Sequence, residues 1–284
     1  AVKDAENRTL QSKLTIEPGA VIKLSSEASL ANQDGQMQIG PAIDPDGLFD
    51  ASGPSVLITS ILDDACDAQD RAQGCDTGHD GPSEPRPGAW VHVHMRGSGR
   101  STMADAVVRY GGSLTDQQAA VVIRHDKDEV RGSEIAFSQG YGIKVDKTSV
   151  AFISDCDIHD NGRGGIQGTA SSSLALKLFL SGNRIHDNPG PAIGIDANAT
   201  VVRDAIDRTA GSTVNPAKDN ILSGNAIDGI AITGDLSFDR TWEPVGLNYV
   251  IMDNVDVGIG KTLTIQPGVQ IRFKGTSLVS QAGS

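Results

Sequence analysis

Acidic side chains are concentrated in one polar segment of this 284-residue sequence, between residues 63 and 88. Asp76 and Asp80 stand close to glycines within it, and Asp63 and Asp64 lie at its base. Calcium takes about six to eight oxygen ligands at about 2.3–2.6 Å, which carboxylates and backbone carbonyls of such a loop can supply. The segment lacks the full EF-hand pattern. We predict a structural calcium site at Asp63, Asp64, Asp76 and Asp80, the alternative being a solvated acidic loop.

The three cysteines fall in two different settings. Cys66 and Cys75 lie in the polar segment, whereas Cys156 lies in a stretch of alternating apolar residues. Exported proteins tend to avoid exposed free thiols, because oxidising compartments convert them to disulfides. We predict a Cys66–Cys75 disulfide, with two free surface thiols as the alternative. Cys156 is expected to point into a core as a small apolar side chain.

Two histidines share the same local sequence, Ile-His-Asp-Asn, at His159 and His186. If the chain forms stacked repeats, these imidazoles and the carboxylates Asp160 and Asp187 share one face. Such a group could bind a transition metal or transfer protons. A turn that is simply repeated gives the same pattern without a ligand, and the sequence favours that interpretation.

His92 and His94 alternate with Val91, Val93 and Met95 on a predicted strand, so both imidazoles point away from the apolar set. A metal site there would need a third ligand, and the sequence identifies none.

The overall charge disfavours a nucleic-acid partner. The chain carries a net charge of −12, and binding phosphates requires a basic surface. The sequence has no run of about 18 apolar residues, so we expect no membrane span. Glycine accounts for 33 residues and aromatic residues for 4%. This composition suits a fold with many tight corners and few large core side chains.

One eleven-residue motif occurs twice, as LTIEPGAVIKL at Leu14–Leu24 and as LTIQPGVQIRF at Leu263–Phe273. Two alternating apolar segments around a Pro-Gly turn predict a strand, a tight corner and a second strand. We expect one whole unit at 1–242 and the start of a second tandem unit at 243–284. Terminal coils that pack on the first unit are the alternative.

A shorter pattern of strand, polar turn, glycine and strand recurs between the two copies. Its segments begin at Ile135, Ile158, Ile185 and Ile221. Periods of about 20–50 residues without helical stretches predict a solenoid of parallel strands stacked about 4.8 Å apart. Asn161 and Asn188 occupy equivalent turn positions. We expect them to be structural, because asparagine tolerates left-handed backbone and can hydrogen-bond along a stack.

With these motifs the chain resembles the right-handed parallel β-helix repeat proteins of bacteria and archaea, in the pectin-lyase-like superfamily. The repeated motif is similar to the entry coil of large exported and cell-surface members. A second similarity covers Ile58–Asp64, Asp76–Gly81, Pro87–Trp90 and Arg109–Gly112. The chain departs from that pattern at Cys75, where the family usually has glycine, and a local disulfide to Cys66 fits the change. The resemblance implies an all-β fold, a single-stranded right-handed parallel β-helix.

Two classes of function follow from the resemblance. The first is a non-catalytic structural or adhesive unit of a secreted or cell-surface protein, a rigid spacer stabilised by calcium and the disulfide. Its partners would be carbohydrate, neighbouring cell-surface components or further tandem units. We favour this class, because enzymes of the superfamily usually form one closed solenoid rather than a tandem copy.

The second class is a carbohydrate-active enzyme, a polysaccharide lyase or glycoside hydrolase acting on acidic polysaccharide. Lyases on this fold pair calcium-binding carboxylates with a basic residue that abstracts a proton. No spacing selects such a site from the candidates, which are Arg109, Arg124, Lys144, Arg163, Asp146, Asp155 and Asp157.

Overall fold

The computed structural model describes residues 12–44, 48–64, 81–203 and 218–281. Within these ranges the chain forms 27 strands of three to seven residues and no helix. Through most of its length each coil adds one strand to each of three stacked parallel sheets. This arrangement is a single-stranded parallel β-helix, and the predicted all-β fold class is confirmed.

Sheets 1 and 2 have seven strands each. Sheet 1 consists of β1 (Lys13–Ile16), β4 (Gln36–Ile39), β7 (Thr102–Ala104), β10 (Asp128–Arg131), β13 (Val150–Ser154), β16 (Leu176–Ser181) and β19 (Ala199–Val202). Sheet 2 consists of β2 (Val21–Leu24), β5 (Val56–Ser60), β8 (Ala106–Arg109), β11 (Glu134–Ala136), β14 (Asp157–His159), β17 (Arg184–His186) and β20 (Ile221–Ser223).

Sheet 3 is the longest, with nine strands. It consists of β3 (Leu30–Asn32), β6 (Val93–Met95), β9 (Ala119–Ile123), β12 (Tyr141–Asp146), β15 (Gly164–Thr169), β18 (Pro191–Asp196), β21 (Ile227–Thr233), β23 (Tyr249–Ile251) and β26 (Ile271–Phe273). Two further pairs lie beside the last coils, β22 (Arg240–Trp242) with β25 (Leu263–Ile265), and β24 (Val255–Val257) with β27 (Leu278–Ser280).

The core lies between the sheets and is built from alternate, inward-pointing side chains. Ile135, Ile158 and Ile185 are in register on successive strands of sheet 2, and each is fully buried. Burying an isoleucine stabilises a fold by about 1.5–3 kcal/mol, and the gain recurs in every coil. Cys156 points into the same core, as predicted, and burial raises the pKa of its thiol to about 12.

The fourth predicted repeat start is wrong by one residue. Leu222 is in register with Ile185, whereas Ile221 pairs with Arg184 and is 62% exposed. Side chains alternate between the faces of a strand, so a slip of one residue moves a side chain from the core to the surface. Ile221 and Leu222 are both apolar, so the sequence alone does not show which of them points into the core.

Asparagines form a hydrogen-bonded ladder at the corner between sheets 2 and 3. Asn161 Nδ2 donates to Asn188 Oδ1 at 3.1 Å, and Asn188 Nδ2 donates to Asn225 Oδ1 at 2.8 Å. Their predicted structural role is confirmed. The left-handed residues are instead the preceding aspartates, Asp160 (φ 52°) and Asp187 (φ 53°).

The two copies of the repeated motif form strand–turn–strand corners, as expected, but on different faces. In the first copy β1 lies in sheet 1 and β2 in sheet 2. In the second copy β25 pairs with β22 outside the three main sheets, and β26 lies in sheet 3. The motif therefore specifies a corner without specifying which corner.

The strands after residue 242 stack on the coils before them. Tyr249 of β23 pairs with Ile230 of β21, and Ile271 of β26 pairs with Tyr249, so sheet 3 continues through both. The division into units at 1–242 and 243–284 stays a prediction.

Candidate functional site

A groove runs over the outer face of sheet 3. The outward column along this sheet reads Lys144, Gln167, Gly194, Ala231 and Val250, in that order from coil to coil. The small residues Gly194 and Ala231 lower the middle of the column and leave a groove of about 370 Å³. The signal for it in the sequence is this pair of small residues at outward positions.

The groove is lined by a mixture of aromatic, apolar and polar side chains. Tyr141, Pro191 and Met252 offer apolar surface, and Thr233 and Asp253 offer polar atoms. Clefts of this composition bind small polar ligands through a few oriented hydrogen bonds over an apolar floor. Among the described residues that line it there is one carboxylate, Asp253, and neither arginine nor lysine.

Three of the candidate catalytic residues, two in β12 and one directly after β9, form an ion-paired cluster. Arg124 Nη2 donates to Asp146 Oδ2 at 3.0 Å and to Gln117 Oε1 at 2.6 Å. Lys144 Nζ lies 3.8 Å from the same Asp146 oxygen. The hydrogen bond to Asp146 raises the pKa of Arg124 further, which opposes a role as proton acceptor.

The other candidates lie elsewhere on the solenoid. Asp155 contacts Lys218 Nζ at 2.7 Å and Arg131 Nη2 at 3.2 Å. Arg109 Nε donates to Glu134 Oε1 at 2.8 Å on the outer face of sheet 2, where Asp157 also lies. Arg163 donates to Gln118. The structure does not bring the seven predicted residues into one site.

His92 and His94 are buried rather than displayed. Each is 3% exposed, and their rings meet edge to face with centroids 4.8 Å apart. Burial lowers the pKa of both, that of His94 to about 4. Both rings are therefore neutral at pH 7. Asp116 Oδ2 lies 4.0 Å from His92 Nε2.

The predicted calcium ligands fall partly outside the described residues. Asp63 Oδ2 accepts a hydrogen bond from Thr59 at 2.6 Å, and Asp64 Oδ2 accepts two from Ser83 at 2.7 Å. Asp76 and Asp80 lie outside the described residues, as do Cys66 and Cys75. The calcium site and the disulfide both stay predictions.

His159 and His186 share one outward face of sheet 2, as the repeated sequence predicts. They are paired in register, and their rings stack with centroids 4.9 Å apart and planes 11° apart. Asp160 and Asp187 each contact the Nδ1 atom of the preceding histidine, at 2.8 and 2.7 Å. Asp157, two residues before His159 and therefore on the same face, is a third member that the histidine pattern alone did not identify.

The profile of a family described as a right handed beta helix region matches residues 92–260, more than half of the chain. A search of solved structures finds the crystal structure of pectate lyase Pel9A. That match has 12% sequence identity and a TM-score of 0.37, and it covers 96% of this chain and 70% of that chain. No curated protein matches the chain. None of the described residues belongs to a helix long and apolar enough to cross a membrane.

Proposed function

Because this chain belongs to the right-handed β-helix family, we propose that it is a non-catalytic structural unit of a secreted or cell-surface protein. It acts as a rigid spacer whose length is set by the number of coils, and it displays its outer faces to neighbouring components. The observation that carries the proposal is the continuity of side-chain bonding from coil to coil.

Several polar rows tie adjacent coils together. Besides the Asn161–Asn188–Asn225 ladder, Asn183 Nδ2 donates to Asn220 Oδ1 at 2.9 Å. Charged groups also pair between coils, as in Arg109 with Glu134 and Arg124 with Asp146. Hydrogen bonds within such rows are expected to oppose bending and local opening, because breaking one leaves buried polar groups without partners.

Catalysis would contradict this proposal, and assays for it are direct. A lyase would produce an unsaturated sugar that absorbs ultraviolet light, and a hydrolase would release reducing ends. We expect neither product from polygalacturonate or alginate, with or without calcium. Product formation that Arg124→Ala or Asp253→Asn abolishes would overturn the proposal in favour of a carbohydrate-active enzyme.

Calcium and the Cys66–Cys75 disulfide are proposed to stiffen the acidic segment. The net charge of −12 and the carboxylate-rich sequence support the ion, since calcium prefers oxygen ligands. Adding calcium should then raise the thermal unfolding midpoint, and an Asp76→Asn/Asp80→Asn double variant should lose that rise. An identical unfolding midpoint in calcium and in chelator would contradict a structural calcium ion. Mass spectrometry before and after reduction tests the Cys66–Cys75 disulfide.

The groove on sheet 3 favours carbohydrate binding as a second candidate function. Tyr141 offers an aromatic surface on which a sugar ring can pack, and Gln167 and Asp253 offer polar atoms beside it. Tyr141→Ala should abolish retention on a glycan array if the groove is used. Tyr110→Ala, directly after β8 of sheet 2, is the matched control. Equal retention of both variants and the wild type would exclude the groove.

A further inference from the structure

We propose that Asp157, His159 and His186 form a binding site for a divalent transition metal of the zinc class on the outer face of sheet 2. The candidate ligand atoms, one from each residue, all lie within 4.8 Å of one another. This site is separate from the acidic segment and from the groove on sheet 3. It would link β14 to β17, which belong to successive coils.

The ligand atoms are close to the separations that a metal requires. His186 Nε2 lies 2.9 Å from Asp157 Oδ1. Bonds of about 2.0–2.2 Å at a tetrahedral angle place two ligand atoms about 3.3–3.5 Å apart. The His186–Asp157 pair needs to open by about half an ångström, and the widest pair needs to close by up to about 1.4 Å.

Carboxylates behind the histidines already orient them for this role. Asp160 Oδ2 lies 2.8 Å from His159 Nδ1, and Asp187 Oδ2 lies 2.7 Å from His186 Nδ1. A carboxylate that accepts the Nδ1 proton leaves Nε2 as the metal ligand, and at His186 the metal would replace the hydrogen bond that Nε2 now makes with Asp157 Oδ1. The same carboxylate–histidine arrangement supports the ligands of many zinc sites. The Asp that follows each histidine therefore serves as a positioning residue.

The local charge also suits a divalent cation. Four carboxylates and two guanidinium groups surround the two imidazoles, so these six groups together carry two negative charges. The groups are Glu134, Asp157, Asp160, Asp187, Arg109 and Arg184. Two imidazole nitrogens with one carboxylate favour zinc-class ions over calcium and magnesium, which prefer oxygen.

One coordination position stays open to water. Glu134 Oε1 is 3.8 Å from His159 Nε2, but the same oxygen accepts a hydrogen bond from Arg109 Nε at 2.8 Å. Arg184 contacts only the far oxygen of Asp157, Oδ2 at 3.4 Å, and leaves Oδ1 to the metal. The Asp157 side chain is 41% exposed, so water reaches the site directly.

Titration of the purified chain with Zn²⁺, and with Co²⁺ as a coloured substitute, tests the proposal. We expect one Zn²⁺ per chain at this site. His159→Gln or His186→Gln should weaken binding at least about a hundredfold, and Asp187→Asn should weaken it about 10–100-fold. His125→Gln is the matched control and should change it little.

The colour of the Co²⁺ form separates this site from other ligands in the chain. Nitrogen and oxygen ligands give visible d–d bands, whereas thiolates add intense near-ultraviolet absorption. Zinc affinity that is unchanged in His186→Gln, or a thiolate spectrum in the wild type, would overturn the proposal. If a histidine variant does not fold, Asp187→Asn and the wild-type spectrum still decide it.

Discussion

The carboxyl group of Asp128 is buried, and burial disfavours its charged form. Its Oδ1 accepts a hydrogen bond from the Ser101 backbone N–H at 2.6 Å. Its Oδ2 is buried without a hydrogen-bond partner among the described residues. Burial raises the pKa of Asp128 from 3.8 to about 8, because the charged form loses its hydration.

The raised pKa of Asp128 predicts a stability that falls with pH. Between about pH 4 and 8 the folded chain holds a proton on Asp128 that the unfolded chain releases. The contribution of this group to the free energy of unfolding is therefore complete below pH 4 and is lost as the pH rises through 8. The free energy of unfolding should fall by at most about 1.4 kcal/mol per pH unit because of this one proton. Asp128→Asn should remove this part of the slope in urea unfolding, with the variant close to wild type near pH 4. A wild-type slope that the variant keeps would contradict the assignment.

Asn188 is the central member of its ladder and has no exposed surface. Its Oδ1 accepts hydrogen bonds from Asn161 N at 2.9 Å and Asn161 Nδ2 at 3.1 Å. Asn188→Ala should lower the free energy of unfolding by about 2–4 kcal/mol, because buried donors lose their acceptor. Urea denaturation measures the change.

Asn254→Ala is the control for Asn188. Asn254 also accepts a bond from the next coil, from Ser277 N at 2.9 Å, but it is exposed. Water can replace its oxygen, so the cost should stay below about 1 kcal/mol. Equal losses of unfolding free energy in the two variants would show that burial does not determine how much the asparagine ladder stabilises the fold.

At the scale of single elements, the tight corners set how closely one coil sits on the next. Gly190 lies in the turn between β17 and β18, and a Cβ built there would be 1.8 Å from the Arg163 carbonyl oxygen. The coil below therefore occupies the space of a side chain. Only glycine lets the two turns meet at this distance.

Gly190→Ala is expected to destabilise the fold by about 3 kcal/mol or more, because the methyl group must push two coils apart. Gly53→Ala is the matched control. The nearest atom to its added Cβ is Pro18 Cβ at 3.6 Å, and its φ is not in the left-handed region. This control should be neutral or slightly stabilising. Thermal unfolding of both variants distinguishes a steric effect from a general loss of glycine flexibility.

The elements also show what sequence patterns can reveal. The repeated isoleucines and Ile-His-Asp-Asn frames predict the stacking of β11, β14 and β17, since an apolar period is physically tied to a buried face. The groove and the Arg124–Asp146 pair are different, because they depend on which outward residues of separate coils become neighbours. Coil lengths vary here, so sequence spacing alone does not give those neighbours.

At the scale of the molecule, stability and length should both be counted in coils. Solenoid repeats contact only their neighbours, so a whole coil is removable where its ends meet. Glu134 pairs with Asp157, and the Asp157 N–H donates to Ser133 O at 2.9 Å. Deleting Glu134–Cys156 therefore removes one coil and joins two positions that are already adjacent.

This deletion should give a folded chain that is shorter by one strand spacing, about 4.8 Å. The measurement is the distance between spin labels at Ser25 and Ser223, just after β2 and at the end of β20. Deleting only Glu134–Val145, about half a coil, joins positions on different sheets and should prevent folding of the joined region. An unchanged label distance in the whole-coil variant would refute a spacer whose length follows coil number.

The placement of the two LTI-x-PG motifs determines from which sides of the solenoid a binding partner could reach them. The first copy joins sheet 1 to sheet 2, whereas the second joins the β22–β25 pair to sheet 3, so the two copies form different corners of the solenoid. Both carry side chains open to solvent, with Leu14 41% exposed and Phe273 51% exposed. A binding partner specific for this motif would therefore have to approach the solenoid from two different sides.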